Sequence, residues 1–142
     1  MSVFKLSKKN RFHVISEYYN EIKWLNDKTI LSDLWVGKNA AYEFSYSDLV
    51  CNLLEDSFII FITEDILILN FNNELISHLI LLKDMLNDYN KKLPKNKWMD
   101  DKILADPEFD KVIEQAGKVV ELWGLDEEAK KFINLNPNLS LV

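Results

Sequence analysis

Between Asn72 and Pro94, apolar side chains recur at Leu75, Leu79, Leu82, Leu86, Tyr89 and Leu93, at spacings of 4, 3, 4, 3 and 4. That spacing places all six on one seam of an α-helix, which Ile76 and Ile80 widen. Asn72 and Asn73 suit the start. Pro94 sets the end, because the residue before a proline avoids the α region. The sequence therefore predicts a long helix over 73–93. A seam of this length stays in water unless other elements cover it, so the remainder of the chain must supply apolar partners.

Two sources are available. Residues 107–123 carry Phe109, Val112, Ile113, Ala116, Val119, Val120 and Trp123 at helical spacing. They follow Asp106 as N-cap and Pro107 at the first helical position, and Gly124 stands where a C′ glycine is expected. Asp126 then caps a last short helix carrying Phe132 and Ile133. The second source is residues 58–62 and 66–69, short runs rich in Ile, Leu and Phe, which predict an antiparallel hairpin over about 57–71.

Earlier in the chain, Ser16 reads as the N-cap of a helix carrying Tyr18, Tyr19, Ile22 and Leu25, with Asn26 and Asp27 as its stop. Residues 12–15 form an extended lead-in. Leu34, Trp35 and Val36 before Gly37 suggest a short strand. Tyr42, Phe44 and Tyr46 alternate as on a half-buried strand, and Ser47 and Asp48 open a short helix that carries Leu49, Val50, Leu53 and Leu54 and runs to Glu55 and Asp56. The expected fold is α+β: one helix-rich domain over residues 1–142, with a small antiparallel sheet packed on the 73–93 helix and the C-terminal helices. Residues 94–105 join them as a basic connector. A chain of 142 residues, 48% hydrophobic, buries enough surface to fold without a disulfide or metal.

Little in the sequence carries chemistry. The three glycines are isolated, so there is no phosphate-binding loop. Cys51 is the single cysteine and lies among apolar residues, as an inert buried thiol does. His13 and His78 are the only histidines and share no metal-ligand spacing. Asp106, Glu108 and Asp110 are explained by a helix N-terminus, which favours acids. No catalytic residue, metal ligand or cofactor site is expected. The first eleven residues lack an apolar core, so no signal peptide is expected, and no stretch is long enough to span a bilayer. A cytoplasmic protein follows.

Charge gives the remaining direction. The net charge is −6. The basic segments at residues 5–11 and 91–102 are solvated stretches on an acidic body, which argues against nucleic acid as partner. In residues 17–56 acids interleave with aromatics, and Glu17, Glu21, Trp24, Asp33, Trp35, Tyr42 and Glu43 are the candidate partner-binding residues: acids to steer a basic protein, aromatics to anchor it.

A small, acidic, aromatic-bearing chain without catalytic machinery resembles the immunity proteins of bacterial toxin–immunity systems, those of contact-dependent growth inhibition above all. The resemblance extends over the whole chain in size and charge. It implies a non-catalytic binder, monomeric or weakly dimeric, that occludes the active site of a basic toxin domain. A phage-encoded anti-defence inhibitor shares the profile, and a small hydrolase or nuclease using carboxylates from separate segments is the alternative from another class.

Overall fold

A computed structural model describes residues 8–35, 53–54, 69–93 and 100–133. Five helices run through them: α1 (Lys8–Leu25), α2 (Lys28–Trp35), α3 (Asn73–Lys92), α4 (Asp100–Leu104) and α5 (Pro107–Leu125). A 3₁₀ turn, Ala129–Phe132, follows. No strand occurs among the described residues.

The described part is therefore a small helical domain, and the α+β expectation is corrected. Of the hairpin placed at 57–71, residues 57–68 lie outside the described residues. Leu69 and Asn70 form a turn, with Asn70 in the left-handed region at φ 65°, which asparagine tolerates. Among the described residues, the seam of α3 is covered by helix and not by sheet. Leu75, Leu79, Leu82, Leu86 and Tyr89 are all buried, and α5 is the principal element packed on α3. Ile76 is buried with the seam, whereas Ile80 faces solvent.

α5 is the central helix. It packs on α3, on α1, on α4 and on the 3₁₀ turn. Its stripe, Phe109, Val112, Ala116, Val119 and Trp123, is wholly buried. Its start is as expected: the Asp106 carboxylate accepts the Glu108 N–H at 2.9 Å with Pro107 at the first position. Its end is not. Gly124 is helical, the helix runs on to Leu125, and Asp126 is the C-cap.

α1 is longer than expected. Residues 12–15 are helical, and Ser16 lies inside the helix, buried, with its hydroxyl donating to the Phe132 carbonyl at 2.6 Å. The cap chemistry expected of Ser16 thus serves a contact between α1 and the C-terminal turn. α2 replaces the strand expected at Leu34 to Val36 through residue 35. Asp27 creates it: its carboxylate accepts the N–H groups of Thr29 and Ile30, so the residue expected to stop α1 also starts α2. Leu53 and Leu54 are helical, as expected within the short helix after Asp48, whose other residues lie outside the described ones. The strand placed at residues 42–46 and Cys51 lie outside the described residues. Within the connector at 94–105, residues 100–104 form α4.

Two polar devices fix how the helices meet. The Asp126 carboxylate, 3% exposed, accepts the Asn72 N–H through one oxygen and the Glu128 and Ala129 N–H groups through the other. One side chain thereby joins the start of α3, the end of α5 and the 3₁₀ turn. Where α1 ends against α5, the Asn26 amide donates to the Ile113 carbonyl at 2.9 Å. Gly117, one turn further along α5, leaves the space that the amide occupies. A Cβ there would stand 2.5 Å from Asn26 Nδ2.

Candidate functional site

Buried chemistry-bearing groups come first. Tyr19 packs its ring on Trp123, with centroids 5.3 Å apart, and Phe71 meets the same indole edge-on at 5.4 Å. The Trp123 N–H donates to the Ala129 carbonyl at 2.7 Å. Burial pushes the Tyr19 hydroxyl above its ordinary ionisation range, because the phenolate would lose its hydration. These groups hold the aromatic core together.

The acids around the start of α5 are each engaged. Asp106 caps the helix through one oxygen and accepts the Tyr89 hydroxyl at 2.7 Å through the other. Glu108 pairs with Lys111, and Asp110 pairs with Lys28 of α2. His78 lies beside α5, where the Gln115 amide meets its ring Nδ1 and its backbone carbonyl, both at 3.0 Å. No cluster of three His, Cys, Asp or Glu side chains able to hold a metal occurs among the described residues.

Of the expected partner-binding residues, Glu17, Glu21 and Trp24 follow at spacings of four and three, on one stripe of α1. The stripe passes from solvent into the core. Glu17 is exposed and pairs with His13 at 3.1 Å, Glu21 is half-buried, and Trp24 is 6% exposed. Trp24 is thus a core side chain that an incoming partner does not reach. Asp33 and Trp35 lie on α2, away from that stripe in sequence, and Tyr42 and Glu43 lie outside the described residues.

A second surface escaped the sequence reasoning. Opposite its buried seam, α3 presents Glu74, Ser77, Leu81, Asp84 and Asp88 at spacings of 3, 4, 3 and 4, all exposed, with Ile80 beside them. Ile80 and Leu81 are 38% and 44% exposed. The sequence carries this surface as a second heptad-like series, in which Ile80 also fits the widened seam and Leu81 fits only the outward face. Beside this face, where α3 meets α5, lies a cleft of about 160 Å³. Met85, Tyr89 and Val112 supply apolar wall, and Asp88, Lys92, Glu108 and Lys111 supply charge.

Among the described residues, no helix is long and apolar enough to cross a membrane. No protein-family model, curated protein or solved structure matches the chain.

Proposed function

We infer that this chain is a non-catalytic protein-binding inhibitor of the immunity type, which occludes the active site of a basic toxin domain in the cytoplasm. The observation that carries this reading is the combination of large apolar side chains left in solvent with a net charge of −6. Phe12, Ile80, Leu81 and Leu125 are each more than a third exposed, on a helical scaffold held by buried and partly buried hydrogen bonds. Apolar centres within a charged surround are the usual chemistry of a protein interface. The acid surplus selects for a basic protein and against nucleic acid. The chain needs no cofactor in this role, and it acts as a monomer or weak dimer.

Electrostatic steering acts chiefly on association, raising on-rates by orders of magnitude over a neutral ~10⁵–10⁶ M⁻¹s⁻¹ at low salt. The test is capture of the partner from the native cell, followed by binding kinetics against ionic strength. The expected result is a basic protein whose on-rate falls steeply with salt while its off-rate changes little. An acidic partner, a nucleic acid held through residues 91–97, or an on-rate indifferent to salt overturns the reading.

A further inference from the structure

We propose that the outward face of α3 is the surface that receives the basic partner, which rests on the inhibitor reading above. Leu81 stands at the centre of the series Glu74, Ser77, Leu81, Asp84 and Asp88, with Ile80 alongside. Ile80 and Leu81 are two adjacent exposed apolar positions on an otherwise polar face. Closed by the exposed bases Lys91 and Lys92 in the last turn of α3, the series itself holds three carboxylates. Those of Glu74 and Asp88 have no ion-pair or hydrogen-bond partner among the described residues, and Asp84 meets only its neighbour Lys83, at 3.6 Å.

Charge decides the occupant. A second copy of this chain meeting the face across a twofold axis would set the same carboxylates against one another. A nucleic acid or an anionic lipid surface meets the same repulsion. A basic protein gains from the carboxylates and covers Ile80 and Leu81. Asp88 belongs both to the face and to the cleft, where the charges balance, Asp88 and Glu108 against Lys92 and Lys111.

The experiment uses the full chain in its native cell, with a benzophenone amino acid placed at position 81, 17 or 121. The position-81 probe is expected to cross-link a basic protein, and the probe at Glu121, exposed on α5, to give no such product. With that protein purified, Leu81→Arg is expected to weaken binding at least about tenfold. Asp84→Lys with Asp88→Lys should slow association, and Glu17→Lys with Glu21→Lys should change affinity less than about twofold. Circular dichroism checks each variant's fold, and the partly exposed Leu81→Ser serves if Leu81→Arg unfolds. A basic protein cross-linked from position 17 but not from 81 overturns this face and leaves the inhibitor reading standing. A position-81 product that is a second copy of the chain or an acidic protein overturns the face. No basic protein at any of the three positions overturns both.

Discussion

The meeting of Asn26 and Gly117 makes a quantitative prediction whose sign depends on the background. Glycine inside a helix is worth about 1 kcal/mol less than alanine, so Gly117→Ala should stabilise α5 by about that much if the space were free. It is not free, since the new Cβ would stand 2.5 Å from Asn26 Nδ2 and 3.1 Å from its Cγ. The amide must leave, and its 2.9 Å bond to the Ile113 carbonyl goes with it. That bond is solvent-exposed, so its net contribution lies at the low end of roughly 0.5–1.5 kcal/mol. Gly117→Ala alone should therefore change stability by less than about 0.5 kcal/mol. Asn26→Ala alone should destabilise by about 0.5–1 kcal/mol. In the double variant the alanine has room, so the full helical gain of about 1 kcal/mol returns and cancels the loss of Asn26. The coupling energy should thus be about 0.5–1 kcal/mol in favour of the double variant. Urea unfolding of the four proteins at 25 °C, followed by circular dichroism at constant m-value, measures it. Additivity to within about 0.3 kcal/mol would refute the claim that the two side chains compete for one space.

Leu82→Ala should cost roughly 2–5 kcal/mol, because the side chain is 1% exposed in the α3–α5 contact; a loss under half a kcal/mol on urea titration would remove it from the core. Asp126→Asn keeps the shape but turns one acceptor into a donor facing an N–H, and should cost about 1–3 kcal/mol by the same assay. Tyr19 gives a pH dependence. Its folded ionisation is raised by burial, so the stability it contributes is complete below the unfolded value of about 10 and is lost as pH rises from there through the folded value. Tyr19→Phe should accordingly lose less stability than the parent as the pH rises above about 10, and identical alkaline limbs would contradict that.

The elements legible in the sequence were those with punctuation at their ends. α3 begins at Asn73 and finishes before Pro94, and α5 begins at Asp106 and Pro107, because caps and prolines act within a turn of the backbone they control. α1 was misjudged at its start because Ser16 and Glu17 resemble a cap locally, while the bond that uses the Ser16 hydroxyl spans 116 residues. α2 was missed because it has only two turns, and Asp27 suited a helix end as well as a helix beginning. The sheet was inferred from short apolar runs, which periodicity alone does not assign to strand or helix. The α1 stripe was legible in spacing but not in depth: Glu17 and Trp24 share a face, yet only packing decides that one meets solvent and the other the core.

Asp126 also bears on how the chain breathes. The amide hydrogens of Asn72, Glu128 and Ala129 all end on one carboxylate, although the first is separated from the other two by more than fifty residues. The Glu128 and Ala129 N–H groups share one oxygen and the Asn72 N–H holds the other, so a swing of the Asp126 side chain releases all three. Their exchange with deuterated solvent should therefore follow a common opening, with similar free energies and a similar dependence on denaturant. The start of α3 and the C-terminal turn would then loosen as one unit, with a single side chain setting the size of the smallest motion that exposes either.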